Sequence, residues 1–473
     1  MRFYQIIILL FIFVISGISC RKDFEYAASN GKLEFSKDTV FLDTIFSNIG
    51  SSTYALKVYN RSKEDISIPE IRLARGDNSG YRLNVDGVAG KSFTDVPLMA
   101  KDSLFIFIET TIDVSGSEMN EFLYTDELQF DRGDNLQEIT LVTLVRDVVF
   151  LFPSKTAGST PEMISLGLNA NAEEIFVEGF ELEADELAFT DEIPYVIYGY
   201  AVVSENKVLT IAAGARIHFH ENSGILVQSR GKIQINGQLS TDSLALEKEV
   251  IFEGDRLEPE LGNVSGQWGG IRIASGSIEN SIEHLTLKNA TIGLRVEGDG
   301  NLQDPTLRII NSQIYNSAIY NLWGISAAIE AENMVLGNAG SGSLYCNFGG
   351  DYSFVHATIA NYWVDSFRTG AALAIDTKKN NSSNNEDSAD LIKADFINCI
   401  IDGNGSIELS LDETSSNTFD YFFGNCLIKF AGDTSTMNPP YDFDNLDSYR
   451  KNLFIEEAVF ENSSKNNFRL SPT

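Results

Sequence analysis

The sequence predicts an all-β protein in which a β-sandwich is followed by a parallel β-solenoid. Three observations lead there: strand-like patterns alternate with turns early in the chain, Gly and Asn interrupt similar patterns from residue 195 onward, and a short motif recurs through the second half. At 473 residues the chain is longer than one hydrophobic core comfortably supports, so two folded units are expected.

The first 19 residues have the pattern of a signal peptide. Arg2 precedes the apolar run Ile6 to Ile15, which is too short to span a bilayer comfortably. The run leads to Gly17-Ile18-Ser19-Cys20, which resembles the lipobox of bacterial lipoproteins, although that family prefers a large aliphatic residue where Gly17 stands. The resemblance implies acylation of Cys20 and a lipid anchor in a membrane. The alternative is an ordinary secretory signal with a chance Cys.

Residues 20–32 are predicted to form a tether. Its charged start, Arg21 to Glu25, resembles the export signal of surface lipoproteins of the Bacteroidota. That resemblance implies an outer-membrane protein exposed at the cell surface and anchored through lipid without spanning the bilayer.

Residues 33–152 contain roughly seven short alternating strand patterns separated by turn signals, which suits an Ig-like β-sandwich. The segments Leu33 to Thr44 and Ala55 to Asn60 resemble Ig-like domains of the abnormal-spindle/hydin type. Those domains are adaptors or spacers, so the resemblance implies no catalytic residues. The acidic stretch 153–194 is interpreted as a linker and N-terminal cap.

The strongest signal is a repeat within residues 195–473. Its copies begin 27, 22, 23, 42 and 27 residues apart, about the length of one coil of three short strands. They begin at His284, Asn311, Asn333, His356, Asn398 and Asn425. We interpret these six residues as a structural ladder in which stacked turn side chains satisfy backbone groups.

The 42-residue step contains the polar segment 376–390, which is predicted to be a loop inserted into one rung. With this loop excluded, the repeat resembles the pectate-lyase-like right-handed parallel β-helix, over about residues 200–470. The ending Phe468-Arg-Leu470-Ser-Pro472 is interpreted as the start of a further rung.

The net charge limits the expected partners. Asp and Glu number 67 against 35 Lys and Arg, a formal charge of -32. This sign repels phosphate backbones, so nucleic acid is not expected as a partner. The acidic residues are interpreted as a solubility feature, with cation binding as the alternative.

The sequence predicts no metal site, catalytic residue or cofactor. His218 and His220 lack a third ligand at supporting spacing, so a packed or solvated pair is favoured over a metal site. The short motifs of polysaccharide-cleaving β-helix enzymes do not occur in the rungs, and acids such as Asp255 and Asp402 are scattered.

Trp268, Trp323, Tyr362 and Trp363 are candidate stacking platforms for sugar rings, the alternative being ordinary packing. The predicted function is therefore a non-catalytic binding or adhesion scaffold, with a glycan or a surface protein as its partner. The alternative is a polysaccharide lyase or glycoside hydrolase. Three or more carboxylates beside an Arg or Lys on one exposed sheet would favour the enzyme, and aromatics without such a cluster would favour binding.

The remaining cysteines test the predicted register. Cys399 and Cys426 each follow a ladder Asn, so they should stack on neighbouring rungs as buried free thiols.

Overall fold

The structure, a computed structural model, describes residues 26–114, 121–154, 160–168, 173–300, 304–379, 388–414, 417–432, 440–455 and 458–471. Cys20 and the predicted signal peptide lie outside these residues. The chain divides into two compact units with a boundary between Asp147 and Val148. Short 3-10 helices occur at Gly76–Asn78, Gly133–Asn135, Ala184–Glu186, Pro259–Leu261 and Ser463–Lys465. Within the ranges above, no helix is long and apolar enough to cross a membrane.

The first unit is a β-sandwich. Its strands in the described residues are β1 (Ala27–Ala28), β2 (Glu34–Phe35), β3 (Thr39–Phe46), β4 (Tyr54–Tyr59), β5 (Ile66–Leu73), β6 (Tyr81–Val85), β7 (Val88–Gly90), β8 (Ser92–Leu98), β9 (Ser103–Thr110), β10 (Glu121–Phe130) and β11 (Gln137–Arg146). One sheet has the order β1-β5-β10-β11-β3, with β8 also paired to β5, and the other has the order β2-β4-β9-β6-β7. Alternate residues along β11 are buried, as expected for strands that cover a core with one face. Several strands have only two or three residues, so the strands outnumber the seven or so predicted.

The second unit is a parallel β-helix. Its described strands are β12 (Val149–Leu151), β13 (Met163–Leu168), β14 (Glu174–Glu181), β15 (Ala188–Phe189), β16 (Tyr195–Ile197), β17 (Tyr200–Val203), β18 (Val208–Ala212), β19 (Arg216–Phe219), β20 (Gly224–Val227), β21 (Lys232–Asn236), β22 (Val250–Gly254), β23 (Gly270–Ile273), β24 (Asn280–Glu283), β25 (Leu285–Lys288), β26 (Ile292–Glu297), β27 (Leu307–Ser317), β28 (Tyr320–Ile325), β29 (Ala328–Ala339), β30 (Gly342–Asn347), β31 (Gly350–Val355), β32 (Thr358–Asn361), β33 (Leu373–Asp376), β34 (Leu391–Ile397), β35 (Ile400–Gly403), β36 (Leu409–Asp412), β37 (Phe422–Gly424), β38 (Leu427–Lys429), β39 (Tyr449–Arg450), β40 (Leu453–Ile455), β41 (Phe460–Asn462) and β42 (Asn467–Leu470).

In the β-helix, each coil places one strand in a ten-stranded sheet. The chain then continues into a second sheet, which has nineteen strands. The ten-stranded sheet has the order β13-β14-β17-β20-β23-β26-β28-β30-β33-β36, and from β14 onward its neighbours are parallel. The nineteen-stranded sheet has two arms, because β24 and β25 both pair with β27, while β31 and β32 both pair with β29. An Ig-like sandwich followed by a parallel β-helix is thus the fold, and the predicted class is confirmed.

The start of the β-helix differs from the predicted linker. Val149–Leu151, assigned from sequence to the end of the sandwich, instead pairs with Tyr195–Ile197 in the solenoid. Within the predicted linker and cap 153–194, β14 pairs with β17, and β13 forms an antiparallel hairpin with β14. This segment therefore belongs to the solenoid, because pairing satisfies backbone groups that an open first rung would leave exposed.

The end of the predicted tether belongs to the sandwich. Ala27 and Ala28, within the residues 20–32 predicted to form a tether, pair in parallel with Ile66 and Ser67. Two alanines carry no alternating pattern from which a strand could be predicted.

Like side chains stack along the inside of the solenoid. On the ten-stranded sheet, five fully buried leucines align in register: Leu294, Leu322, Leu344, Leu373 and Leu409. On the other sheet, neighbouring ring centroids in the stack Phe354, Phe396, Phe423 and Tyr449 lie 5.3, 5.1 and 5.6 Å apart. These rows form one continuous core through successive coils.

The six predicted ladder residues lie at the bend between the two arms of the nineteen-stranded sheet. All six are left-handed, with φ values of 48°, 52°, 55°, 56°, 55° and 54° in chain order from His284 to Asn425. The strand pairing reproduces the sequence spacing, as in Ser312 with Met334 and Thr358 with Ile400. Asn is among the residues that tolerate this conformation best, which explains its recurrence here.

Hydrogen bonds join part of this ladder. Asn333 donates from Nδ2 to Oδ1 of Asn311 over 2.7 Å, and the Nδ2 of Asn311 lies 3.4 Å from Nε2 of His284. The backbone N–H groups of His356, Asn398 and Asn425 donate to carbonyls of the following rung.

The two ends of the predicted loop 376–390 are ordered. Asp376 ends β33, and Lys378 forms an isolated bridge with Ser388. Residues 380–387 lie outside the described part of the chain.

The predicted last rung is wrong. Phe460–Asn462 and Asn467–Leu470 form an antiparallel hairpin that folds back onto the solenoid, where the Phe468 ring occupies the space beside Gly337. Asn338 donates from Nδ2 to Oδ1 of Asn466 over 2.7 Å. Gly337 provides room for the ring because it has no Cβ.

The cysteine prediction is confirmed. Cys399 and Cys426 directly precede the paired residues Ile400 and Leu427, so they occupy equivalent places on neighbouring rungs. Both thiols are buried and free.

Candidate functional site

The outer surface of the ten-stranded sheet carries a row of side chains that does not repeat. Neighbouring strands place these residues in register, and each points away from the inward leucines because strand side chains alternate. Over six strands, with a spacing of about 4.8 Å between neighbours, the row is about 24 Å long. Its members are Arg272, Arg295, Trp323, Tyr345, Ala374 and Ser410.

Two arginines share one glutamate at the start of this row. The Nη2 of Arg272 and the Nε of Arg295 both lie 2.7 Å from Oε1 of Glu297. The three side chains are 16%, 28% and 17% exposed. Arg272 also donates from Nη1 to the carbonyl of Leu166 in the hairpin β13–β14. Two cations on one carboxylate leave one positive charge that this cluster does not balance.

An aromatic cluster follows on the next two strands. The rings of Trp323 and Tyr345 are 14° from parallel with centroids 6.0 Å apart, and Tyr320 lies 5.5 Å from Trp323. The Arg295 guanidinium sits over Trp323 at 4.6 Å, which joins the charged and aromatic parts of the face. Trp323 and Tyr320 are partly exposed, whereas Tyr345 is largely covered.

Three polar donors on this face make no hydrogen bond within the described residues. Two of them are the buried Nε of Arg272 and Nε1 of Trp323. The third is the Nε of Arg295, which is also buried, although it lies within ion-pair distance of Glu297. Buried polar groups are normally paired, so the hydrogen-bond network on this face is incomplete in the described part of the chain.

Two aspartates lie at the far end of the face. Asp376 and Asp412 are register partners on β33 and β36. Asp376 accepts hydrogen bonds from the Tyr345 hydroxyl over 2.6 Å and from Nδ2 of Asn347 over 2.7 Å. Burial raises the pKa of Asp376, although these hydrogen bonds favour its ionised form. Asp412 is 59% exposed and pairs with Lys378 at 2.8 Å.

The hairpin β13–β14 covers the opposite end and encloses a cavity of about 290 Å³. Leu166, Ile175 and Val177 of the hairpin line one side, and the other side is formed by residues of the sheet, including Tyr200. Among the described residues that line this cavity, Arg272 and Arg295 are the charged ones. The hairpin therefore closes the outer face of the ten-stranded sheet at one end. In the other direction the face continues past Trp323.

A larger cavity of about 460 Å³ lies beside Ser410 and includes Arg368. That arginine makes a two-pronged pair with Glu408, at 2.9 Å and 2.6 Å, so its charge is balanced. We therefore take the smaller cavity as the candidate site.

Two of the four aromatic residues predicted as platforms are packing residues. Trp268 is 1% exposed, stacks on Phe219 at 4.0 Å and donates to the Lys288 carbonyl, so it belongs to the core. Trp363 is 6% exposed and donates to Ser366. For both, the prediction of an exposed sugar platform is corrected, because their rings point into packed surroundings.

Tyr362 lies apart from the ten-stranded face. Its hydroxyl donates to Asp402 over 2.9 Å, and its ring makes an edge contact with Phe460 of the C-terminal hairpin. Of the predicted platforms, the structure therefore places only Trp323 on the candidate site.

The two histidines considered for metal binding pair with different acids. His218 lies 3.6 Å from Glu253, and His220 lies 2.7 Å from Asp255. Within the described residues, no group of three or more His, Cys, Asp or Glu is arranged to hold a metal ion.

Sequence reasoning missed Arg272, Arg295, Glu297 and Asp376. A signal exists in Gly270-Ile-Arg-Ile273 and Ile292-Gly-Leu-Arg-Val-Glu297, where an arginine stands between apolar residues of a strand. Recognising these as neighbours requires the register between coils, since Arg272 and Arg295 lie 23 residues apart and outside the repeated motif.

These features define an Ig-like sandwich joined to a parallel β-helix whose ten-stranded sheet carries a polar and aromatic face. No protein-family model and no curated protein matches the sequence. Among solved structures, PapD-like domain 7 of human CEP192 is 10% identical, covering 25% of this chain and 86% of that one, with a TM-score of 0.17. The catalytic unit of a GH87 α-1,3-glucanase from Streptomyces thermodiastaticus is 10% identical, covering 80% and 85%, with a TM-score of 0.25. At these values neither structure indicates what this chain binds or cleaves.

Proposed function

We propose that the protein is a glycan-binding scaffold and that the ten-stranded face is its binding surface. The observation that carries the proposal is the stack of Arg295, Trp323 and Tyr345 on three successive strands. Sugar rings combine apolar faces with hydroxyl groups, and protein sites for such ligands combine aromatic surfaces with a few fixed polar groups. Trp323 would supply the aromatic surface, and the arginines with Glu297 and Asp376 would supply donors and acceptors.

The arrangement of acidic groups favours binding over cleavage. Glu297 forms ion pairs with two arginines. The other two acids described above are Asp376 and Asp412, and Lys378 pairs with Asp412. Among the residues that the structure describes on this face, the aromatic side chains are not accompanied by three clustered carboxylates, which supports the binding interpretation of the sequence.

The test uses the soluble chain starting at residue 21 on a glycan array, followed by calorimetry with the bound glycan. We expect Trp323→Ala to weaken binding about fivefold, since loss of an aromatic stack removes on the order of 1 kcal/mol. Phe107→Ala removes an exposed aromatic residue of the sandwich and serves as the matched control. Equal loss in both variants, or full retention in Trp323→Ala, would contradict the proposal.

A second candidate function is hydrolysis of a glycan on the same face. Asp376 and Asp412 are register partners on adjacent strands of this face, and glycosidases use a pair of carboxyl groups. Burial raises the pKa of Asp376, as a general acid requires. In this case new reducing ends appear with the wild type and not with Asp376→Asn or Asp412→Asn. A glycan that binds but yields neither reducing ends nor unsaturated products excludes cleavage of that glycan.

We also propose that Cys20 anchors the protein in the outer membrane, exposed at the cell surface. The support is the lipobox-like sequence before Cys20. Cys20→Ser should abolish acylation and release the protein from washed membranes, with Cys346→Ser as the control for loss of a thiol. Retention of the Cys20→Ser variant in the membrane fraction would contradict this localisation.

A further inference from the structure

The cavity beneath the hairpin β13–β14 has an electrostatic character opposite to that of the whole chain. The protein carries a formal charge of -32, yet the charged side chains among the described cavity-lining residues are Arg272 and Arg295. Glu297 balances only one of them, and both guanidinium groups remain charged at any physiological pH. An unbalanced cation in a half-buried site is costly unless an anion joins it.

The geometry also indicates where on a glycan such an anion would sit. The hairpin closes the face at Arg272, where the Leu166 carbonyl accepts an N–H from that side chain. A glycan lying on Trp323 and extending toward Arg295 would reach this wall and end there. The cavity, at about 290 Å³, is at the small end of the range for ligand pockets, which suits a single sugar residue better than a continuing chain.

We propose that this cavity binds the anionic group of a terminal sugar residue, a carboxylate or a sulfate, through Arg272 and Arg295. This inference rests on the proposed glycan-binding function, and it names the kind of glycan end that the face selects. Planar guanidinium groups donate paired hydrogen bonds to such oxygens, and the Nε of Arg272 is a donor without a hydrogen bond among the residues that the structure describes.

The first experiment probes the cavity alone with free ligands: sodium glucuronate, sodium sulfate and glucose, by calorimetry or ligand-observed NMR. We expect glucuronate or sulfate to bind and glucose to bind at least about tenfold more weakly, as loss of a charged hydrogen-bond partner implies. Arg295→Gln should lower anion affinity by a similar factor. The exposed Arg308→Gln on the other sheet is the matched control and should change nothing.

A second variant separates binding from misfolding. Glu297→Gln removes the internal counterion, so it should raise the affinity for glucuronate severalfold, a gain that a damaged fold would not produce. Equal binding of glucuronate and glucose, or unchanged anion affinity in both Arg295→Gln and Glu297→Gln, overturns the proposal.

A third arm distinguishes this inference from the proposed function. Oligosaccharides bearing a terminal glucuronate should bind more tightly than those with a terminal glucose or with the glucuronate only at an internal position. If Trp323-dependent binding shows no preference for the acidic end, the anionic subsite is overturned and the glycan-binding face stands. If free glucuronate binds through Arg295 but no oligosaccharide depends on Trp323, the subsite stands and the glycan-binding face fails.

Discussion

Two arginine–glutamate clusters in the solenoid differ in how completely they are paired. Arg368 meets Glu408 one to one, and Glu408 is fully buried and also accepts backbone N–H groups from Ala372 and Gly405. Arg272 and Arg295 instead divide one oxygen of Glu297 between them. The charges of Arg368 and Glu408 are paired with each other, so this cluster supports the fold. The second cluster has two arginines on one glutamate beside a cavity, which suits the anion binding proposed above.

The largest expected effect is a loss of stability when the ion pair between Arg368 and Glu408 is broken. Arg368→Ala leaves Glu408 buried without a counterion, and removing one partner of a buried pair costs about 3–5 kcal/mol. All three tryptophans lie in the solenoid, so their fluorescence during denaturant unfolding reports on this unit. The exposed Arg308→Ala should shift the midpoint little, and a comparably small shift in Arg368→Ala would undo the distinction between the two clusters.

The second-largest effect distinguishes the inward face of strand β30 from its outward face. Leu344 on β30 is fully buried in the inward leucine row, and its neighbour Tyr345 faces outward. Leu344→Ala should cost about 2–5 kcal/mol through the cavity it creates while leaving glycan affinity per folded molecule unchanged. Fluorescence-monitored unfolding and calorimetry measure the two quantities. The exposed Leu239→Ala is the control, and weaker glycan binding by folded Leu344→Ala would show that core and site are not separable here.

A smaller loss of stability is expected at the ladder of six residues from His284 to Asn425, where polar residues recur because they tolerate the left-handed conformation. Asn333 has a φ of 55°, so Asn333→Ala should cost about 1–2 kcal/mol while Asn333→Gly costs less. The order of the two unfolding midpoints is the measurement. Should Ala prove as stable as Gly, the side-chain hydrogen bond to Asn311 would matter more than the backbone conformation.

The smallest effect concerns Asp376, whose partners on the candidate face favour its charge while its burial opposes it. Because burial raises its pKa above the ordinary 3.8, its stabilising contribution is complete below that value and is lost as pH rises through the raised folded pKa. The stability of the wild type relative to Asp376→Asn should therefore fall as pH rises above the ordinary value of 3.8. Parallel unfolding midpoints as pH rises above this value would show that its pKa is not raised.

The regular part of the solenoid could be predicted from the sequence because it repeats. The bend from His284 to Asn425 is marked by the same residue types at intervals of about one coil, and the register between coils follows from that repetition. The hairpin β13–β14 and the C-terminal hairpin could not be predicted this way. Each occurs once, and the surface it covers is formed by residues distant in the chain.

The candidate site shows which features could not be predicted from the sequence alone. The sequence by itself determined an all-β chain, the coil length and the positions of the ladder residues, since these depend on local patterns and on like residues stacking on like. Only the tertiary structure decided that Trp268 packs in the core while Trp323 faces outward beside Arg295, because a shift of one residue in a strand exchanges its two faces. It also decided that Arg272 and Arg295 meet at Glu297, because the pairing between coils brings together residues that no local pattern connects.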